Sequence, residues 1–205
     1  MTPGMKVLKQ MSPLVVKGNI VDMGQNMAGW LKVRVRGQKG DVIRIVYAEK
    51  LNADGTLYRD NFRNARSTDI YICNGEEGKD GRWWTPTFVY HGFKYAQVVG
   101  LKNATKNDYV AEVVADDMQT TGHFECSDTL LNKVIRNAWW GVLDNYKGMP
   151  VDCPQRDERQ PWLGDRTVGS LGESFLFDNE RLYTKWMRDI CEAKRTTGCI
   201  PDVAP

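Results

Sequence analysis

Charged side chains crowd into one short segment of the chain, Val151–Asp165 (VDCPQRDERQPWLGD). Its fifteen residues include four carboxylates, two arginines and one tryptophan: Asp152, Asp157, Glu158, Asp165, Arg156, Arg159 and Trp162. Carboxylates transfer protons and bind hydroxyl groups, arginine makes paired hydrogen bonds to oxygen, and an indole ring packs on the apolar face of a sugar. The composition is therefore typical of a pyranose site. A solvated loop closed by salt bridges has the same composition, and the spacing alone identifies no reaction.

Helical periodicity on both sides of this segment predicts a loop over about residues 148–164. Before the loop, Ser127 or Asp128 can cap a helix whose apolar positions recur every three or four residues as far as Tyr146. Gly148 and the prolines that follow it end this helix. Apolar positions in 168–176 and 182–191 predict two more helices. The polar segment should therefore be held between rigid helices, as functional loops often are.

The first half of the chain has the period of two that is typical of half-buried strands. Apolar residues alternate with basic ones at Leu31, Val33, Val35, Ile43, Ile45 and Tyr47, and the glycines of Gly37–Asp41 suggest a hairpin between the two runs. Further strand-like runs lie at Thr68–Cys73, Thr87–Tyr90, Tyr95–Leu101 and Val110–Ala115. Many short strands with glycine-rich turns predict an antiparallel β-sandwich ahead of the helices.

An aromatic cluster over residues 83–95 has two interpretations. Trp83, Trp84 and the phenylalanines and tyrosines after them could stack on sugar rings, but packing in a core is the more frequent role of such residues. His91 lies within this cluster, where a structural histidine is expected more often than a catalytic one. We therefore do not place His91 in the candidate site.

Composition and charge exclude several classes of protein. A net charge of +2 gives no electrostatic reason to expect nucleic acid, and the apolar runs are too short for a membrane span. Five cysteines without a CxxC pair, and two histidines outside any ligand spacing, predict buried free thiols and no metal or other cofactor. Residues 1–10 show no secretory signal, so the sequence leaves the compartment open, and it leaves the oligomeric state open as well.

The polar segment also resembles a known signature. Val151–Arg159 followed by Trp162, Gly164 and Asp165 is similar to the signature of bacterial α-L-rhamnosidases, glycoside hydrolase family 78. Upstream, GDVIRIVYAEKLNADG at residues 40–55 and YHGFKY at residues 90–95 resemble the β-sandwich that precedes the catalytic domain in this family. Residues 198–205 also resemble the family, so the likeness covers nearly the whole chain.

The resemblance implies an inverting hydrolase that removes terminal α-linked L-rhamnose from glycosides or polysaccharides. Glu158 would correspond to the general acid that protonates the leaving oxygen, and Asp152 and Asp165 would supply the negative charge that keeps it protonated. Asp152, Arg156, Trp162 and Asp165 would line the sugar subsite. The implied partner is a rhamnose-containing glycan.

The resemblance further implies that this chain is part of a longer enzyme. We expect a β-sandwich domain at residues 1–120 and the first helices of an incomplete (α/α)6 barrel at residues 121–205, because a twelve-helix barrel needs about 200 residues. The general base, a glutamate late in that barrel, would lie beyond Pro205, so the chain alone should be inactive. Two alternatives stay open: a non-catalytic carbohydrate-binding module, and an inverting glycosidase of the same fold that acts on another sugar.

Overall fold

A computed structural model describes residues 4–205, and its internal contacts divide the chain into two compact units. The first consists of Val7–Val114 with Gln155–Asp157. The second consists of Ala115–Pro154 and Glu158–Pro205, together with residues 4–6. The contacts thus change at residues 114–115, whereas the sequence prediction draws the domain boundary at 120–121.

The first unit is built from antiparallel strands. The ten strands are β1 (Met5–Met11), β2 (Val15–Lys17), β3 (Ile20–Val35), β4 (Val42–Ala48), β5 (Lys50–Leu51), β6 (Leu57–Tyr58), β7 (Thr68–Ile72), β8 (Arg82–Trp84), β9 (His91–Val99) and β10 (Tyr109–Asp116). Six of them follow the order β1-β10-β3-β9-β4-β7, while β2 and β8 also pair with β3 and the short β5 pairs with β6. Two 3₁₀ turns, Asp60–Phe62 and Lys106–Asp108, complete this unit.

Strand β3 organises the sheet because it pairs with four other strands along its 16 residues. Its register against β9 shifts between Asp22 and Met27, where Gly24 takes a positive φ of 74°. Such an irregularity lets one long strand serve different neighbours at its two ends. Further along, a Cβ on Gly29 would lie 1.9 Å from the Glu112 carbonyl oxygen of β10, so only glycine permits this close approach.

The alternating pattern predicted the buried faces of β3 and β4 but not their pairing. Leu31, Val33 and Val35 of β3 and Ile43 and Ile45 of β4 are completely buried, as expected. The predicted hairpin between the two strands is wrong, because β9 lies between them and pairs with both. A local turn does form, with the Asp41 N–H donating to the Gln38 carbonyl at 2.9 Å. Local turn chemistry cannot decide which strand enters the sheet beside it.

The aromatic cluster is dispersed by the fold. Phe93 is completely buried, whereas Phe88 is fully exposed with a φ of 58°. The predicted strand Thr87–Tyr90 does not form, since these residues make a bend and an irregular segment instead. Trp83 is partly exposed beneath the guanidinium of Arg34, 4.9 Å from its ring centroid. These residues therefore do not form one continuous stacking platform.

His91 has the structural role that its sequence context predicted. Its side chain is buried, with Nδ1 3.2 Å from Ser67 Oγ and Nε2 3.0 Å from an oxygen of Asp69. Tyr47 stacks on the imidazole at 4.1 Å and donates a hydrogen bond to the same Asp69 carboxylate. The polar atoms of His91 are thus satisfied inside the sandwich core, as buried polar groups must be.

The second unit contains the three predicted helices: α1 (Thr129–Asp144), α2 (Leu163–Ser174) and α3 (Glu180–Glu192). Asp128 is the N-cap of α1, since its carboxylate accepts hydrogen bonds from the backbone N–H groups of Leu130 and Leu131. Among residues 4–205, no helix has both the length and the apolar character that crossing a membrane requires.

The helices are buried unequally. Trp186 and Ile190 of α3 pack with Ala204, whose carbonyl accepts a hydrogen bond from Trp186 Nε1 at 2.6 Å. By contrast, Val168 and Leu171 on the predicted apolar face of α2 are largely exposed. The apolar spacing of α2 thus identified a common face, and within the described residues of this unit that face stays accessible.

Candidate functional site

The polar segment forms the loop between α1 and α2, and backbone hydrogen bonds close it into a defined shape. Asn145 accepts from the N–H of Val151 at 2.9 Å where the loop begins. Asp152 then pairs with Gln160: the Asp152 N–H donates to the Gln160 carbonyl at 2.9 Å, and the Gln160 N–H donates to Asp152 Oδ1 at 2.7 Å. This pair joins the two ends of the intervening residues, which include Glu158.

Glu158 and Trp162 are in direct contact. The indole Nε1 of Trp162 donates a hydrogen bond to Glu158 Oε1 at 3.0 Å, and both side chains are half-buried. Trp162 is itself held by the C-terminal segment, because its backbone forms an isolated β-bridge with Val203, and the N–H of Leu163 donates to the Asp202 carbonyl at 3.0 Å. The glutamate carboxylate therefore has a fixed orientation at the loop surface.

Asp152 and Glu158 converge on Cys153. One carboxylate oxygen from each acid and the Cys153 sulfur all lie within 4.8 Å of one another. The backbone N–H of Arg159, a residue with a φ of 54°, donates to the same sulfur at 3.4 Å. Cys153 is buried at 5% exposure. An oxygen–sulfur–oxygen cluster of this kind offers both a proton-transfer site and a possible set of metal ligands.

Sequence reasoning missed the place of Cys153, which it grouped with four other thiols as a buried structural cysteine. Cys73 is also buried, but Cys126 is only partly buried, and Cys191 and Cys199 are exposed. The expectation that the cysteines are buried is therefore wrong for three of the five. The one available signal was the position of Cys153 directly after Asp152 in the polar segment.

A buried network fixes the base of the loop. Arg166 of α2 donates one hydrogen bond to the Val151 carbonyl and forms a salt bridge with Glu173. The hydroxyl groups of Tyr146 and Tyr183 each donate to Glu173 Oε2 at 2.7 Å. Burial is the main cause of the raised pKa of both tyrosines, and the Glu173 carboxylate adds to it. Both hydroxyl groups therefore stay protonated donors at neutral pH.

A second buried charge cluster lies just before the loop. Lys147 is 6% exposed, and burial lowers its pKa to about 8 although the carboxylates of Asp144 and Asp116 oppose the shift. Asp116 accepts hydrogen bonds from the Gly148 N–H, at 2.7 Å to Oδ2. Gly148, at the start of the loop, is thus hydrogen-bonded to Asp116, one of the carboxylates that act on the buried Lys147.

The remaining predicted site residues are placed differently. Asp165 is exposed in the first turn of α2 and is not a member of the Asp152–Cys153–Glu158 cluster. Arg156 is half-buried in Gln155–Asp157, which belongs to the sandwich unit by its contacts. In that unit Asp157 accepts a hydrogen bond from the Asn64 N–H at 3.2 Å. The structure thus brings together Asp152, Glu158 and Trp162 of the predicted set.

Comparison with known proteins agrees with this architecture and adds the family. The model of the bacterial alpha-L-rhamnosidase concanavalin-like domain matches residues 15–116, and that of the bacterial alpha-L-rhamnosidase 6 hairpin glycosidase domain matches residues 119–205. A concanavalin-like sandwich followed by the start of a six-hairpin glycosidase domain defines a member of the glycoside hydrolases. The chain belongs to the bacterial α-L-rhamnosidase family, glycoside hydrolase family 78.

Individual relatives extend over most of the chain. An alpha-L-rhamnosidase of Streptomyces avermitilis is 37% identical over 187 residues, which are 91% of this chain and 18% of the relative. One from Formosa agariphila is 36% identical over 205 residues, covering 98% of this chain and 22% of the relative. The chain therefore spans about a fifth of the length of these curated relatives.

Solved structures match the whole described fold. The alpha-L-rhamnosidase from Dictyoglumus thermophilum has a TM-score of 0.95 at 37% identity and covers 100% of this chain and 24% of its own. The Streptomyces avermitilis enzyme, complexed with L-rhamnose, has a TM-score of 0.94 at 33% identity and covers 100% of this chain and 20% of its own. The predicted fold class, a β-sandwich followed by the first helices of a six-hairpin barrel, is thereby confirmed.

Proposed function

We propose that this chain carries the general-acid side of an inverting α-L-rhamnosidase, which removes terminal α-linked L-rhamnose from glycosides or polysaccharides. The observation that carries the proposal is the geometry at Glu158: its carboxylate is oriented by Trp162 Nε1 at 3.0 Å and lies beside the Asp152 carboxylate. The relatives named as alpha-L-rhamnosidases and the neighbour complexed with L-rhamnose supply the sugar.

In the proposed reaction, Glu158 donates its proton to the glycosidic oxygen as the bond to the sugar breaks. Trp162 fixes the acid and offers an indole face to the ring, while Asp152, Arg156 and Asp165 bind sugar hydroxyl groups. The partner is a rhamnose-containing glycan.

An inverting hydrolase also needs a carboxylate base that activates water on the opposite face, roughly 6.5 to 9.5 Å from the acid. We propose that this base lies outside residues 1–205, in the later part of the barrel. Residues 1–120 then form the sandwich domain and residues 121–205 the N-terminal part of the catalytic domain. On this proposal the 205-residue chain contacts one side of the sugar but does not hydrolyse the glycoside.

The test compares this chain with a version extended through its downstream reading frame, using aryl α-L-rhamnoside beside other aryl glycosides. We expect only the extended form to release the aryl group, from rhamnose alone, and we expect β-L-rhamnose as the first product by NMR. Initial formation of the α-anomer would contradict inversion. Release from a different sugar would support the alternative glycosidase, and sugar binding by a well-folded extended form without turnover would support the binding module.

Substitution of the acid makes the test specific for Glu158. In the extended form, Glu158→Gln should lower kcat/KM for a natural rhamnoside by about 10²–10⁴-fold, the usual contribution of general acid catalysis. The loss should be smaller for an aryl rhamnoside, whose leaving group needs little protonation. Asp157→Asn is the matched control, since it changes a neighbouring exposed carboxylate and should leave activity intact. Equal losses in the two variants would remove Glu158 from its role.

A further inference from the structure

The sandwich unit contains an open cavity that the proposed reaction does not use. Its volume is about 380 Å³, and its walls come from strands β2, β3 and β9 and from the β5–β6 hairpin. All of these strands belong to the unit Val7–Val114. Small-molecule sites have volumes of about 300–1,000 Å³, so the cavity is at the small end of the range and suits a ligand of one or two rings.

Strand register explains how one wall of the cavity is built. Val15 of β2 pairs with Asp22 of β3, and Asp22 also pairs with Tyr95 of β9. Directly opposed residues of antiparallel strands share a face, so these three side chains form one row that spans about 10 Å. The next residues along the strands, Val21 and Ala96, are completely buried. The row therefore lies on the sheet face opposite the core, where a ligand can reach it.

The other wall is the β5–β6 hairpin, whose turn has a fixed shape. The Gly55 N–H donates to the Asn52 carbonyl at 2.9 Å, and the Asn52 N–H donates to the Thr56 carbonyl at 2.8 Å. Asp54 Oδ1 accepts from the N–H of Thr56 at 2.9 Å and from its hydroxyl at 2.6 Å. These bonds hold Leu51 and Asp54 in place at the cavity.

Aliphatic side chains and one aromatic ring provide the apolar part of the lining. Val15, Ile20 and Leu51 contribute aliphatic surface, and Val15 is 49% exposed. Tyr95 is half-buried, and the Lys94 ammonium lies 5.1 Å from its ring centroid, a contact that restrains the ring. An aromatic ring beside aliphatic groups matches the C–H face of a pyranose, and a methyl substituent adds apolar surface that this wall can bury.

Two carboxylates add acceptors for hydroxyl groups. Asp22 Oδ1 accepts from the Gly24 N–H at 2.7 Å, and Asp54 likewise accepts through Oδ1. Among residues 4–205, Oδ2 of each acid forms no hydrogen bond with the protein, so it can accept one from a ligand. Two carboxylates and one ammonium, that of Lys17, leave the lining negatively charged, which disfavours an anionic sugar.

We propose that this cavity is a binding site for a neutral 6-deoxyhexopyranose, a sugar with a methyl group in place of its hydroxymethyl group. The ring face and the methyl group contact Tyr95 and the aliphatic side chains, and sugar hydroxyl groups donate to Asp22 and Asp54. One consequence rests on the proposed function: a second sugar contact raises the local concentration of a polymeric substrate, so the site should lower KM for a rhamnose-rich polysaccharide. Sugar binding itself does not rest on that function.

The binding test titrates the isotope-labelled 205-residue chain with methyl α-L-rhamnopyranoside and records backbone amide shifts by NMR. We expect saturable changes at β2, β9 and the β5–β6 turn, distinct from changes in residues 151–165 that the proposed catalytic subsite predicts. Methyl α-D-glucopyranoside, which lacks the methyl group, and a methyl glucuronide, which is anionic, should bind there at least about threefold more weakly. Absence of saturable changes at the cavity, or equal binding of either comparison sugar, would overturn the proposal.

Variants identify the residues that bind the sugar. Tyr95→Leu removes the ring but keeps an apolar side chain, whereas Asp22→Asn and Asp54→Asn keep Oδ1 as an acceptor and remove the charge. Each should weaken rhamnoside binding by at least about fivefold. The matched controls are Trp83→Leu and Asp80→Asn, which change an aromatic and an acidic residue of the same unit outside the cavity and should leave binding unchanged. If Tyr95→Leu does not fold, the two aspartate variants still test the site, and unchanged affinity in both would refute it.

The kinetic test uses the extended, active form. Asp22→Asn should raise KM for a rhamnose-rich polysaccharide by at least about threefold with kcat unchanged, and it should leave both constants unchanged for an aryl rhamnoside. An unchanged KM for the polysaccharide would refute the contribution of the cavity to substrate capture. Absence of rhamnosidase activity in the extended form would count against the proposed function alone, because sugar binding in the cavity is measured independently of turnover.

Discussion

Substitution of Arg166 is the most direct test of how the loop between α1 and α2, which carries Glu158, is held in place. Arg166 is 9% exposed and Glu173 is 4% exposed, so their salt bridge is buried. Arg166 also donates to the Val151 carbonyl at the start of the loop. In Arg166→Met the apolar stem is kept, but the Glu173 carboxylate loses its cation and the Val151 carbonyl loses a donor.

The size of the effect follows from burial. Removing one partner of a buried ion pair costs about 3–5 kcal/mol, because the other charge stays uncompensated in a poorly solvated site. The hydroxyl groups of Tyr146 and Tyr183 still donate hydrogen bonds to Glu173 in this variant, so the stability loss should lie at the lower end of that range. We therefore expect Arg166→Met to lower the free energy of unfolding of the helical unit by about 3 kcal/mol.

A double-mutant cycle separates the pair from its surroundings. Glu173→Gln keeps an acceptor for the two tyrosines but removes the negative charge, and the double variant buries no charge at this pair. The sum of the decreases in free energy of unfolding of the two single variants should exceed the decrease of the double variant by about 2 kcal/mol or more. Urea titrations followed by helical far-ultraviolet ellipticity measure each free energy of unfolding.

The control is an exposed ion pair in the same unit. Lys6 and Asp117 form a salt bridge at 2.6 Å with side chains 55% and 51% exposed. Lys6→Met should therefore change stability by less than about 1 kcal/mol. Amide hydrogen exchange in residues 151–162 should accelerate in Arg166→Met and not in Lys6→Met. A coupling energy between Arg166 and Glu173 under about 0.5 kcal/mol, together with equal stability of Arg166→Met and Lys6→Met, would refute the reasoning.

Two further predictions concern pH. Burial alone would raise the pKa of Asp108, but hydrogen bonds from Arg36 and Thr105 lower it from 3.8 to about 2. The charged form thus stabilises the fold above about pH 4, and about 2 kcal/mol is lost as pH falls toward 2. Urea titrations should show this loss in the parent protein and not in Asp108→Asn, and parallel curves would contradict it. Burial lowers the pKa of Lys147 to about 8 in the folded protein. Between about pH 8 and 10 the side chain is therefore deprotonated in the folded state but still protonated in the unfolded state. Stability should therefore rise with pH across this range relative to Lys147→Met, as thermal unfolding can measure, and identical pH profiles would exclude this role for Lys147.

The local elements, and the identity of the loop between α1 and α2, can be predicted from the sequence alone. Asp128 begins α1 because its carboxylate can reach backbone N–H groups two and three residues ahead, which is a purely local contact. The alternation in β3 and β4 identified their buried residues because side chains alternate between the two faces of any strand. The signature at Val151–Arg159 indicated the family because its spacing is specific, and the comparisons confirm the family.

Which distant groups meet depends on how the folded chain packs and could not be predicted from local patterns. One partner of β3 is β9, which lies more than sixty residues further along the chain, because strand order depends on the packing of the entire sheet. Arg166 and Glu173 lie within one helix, but their link to Val151, Tyr146 and Tyr183 depends on how the helices pack. Cys153 meets the two acids because the loop closes through Asp152 and Gln160 and Arg159 adopts a positive φ, and no periodic pattern in a sequence reports such a closure.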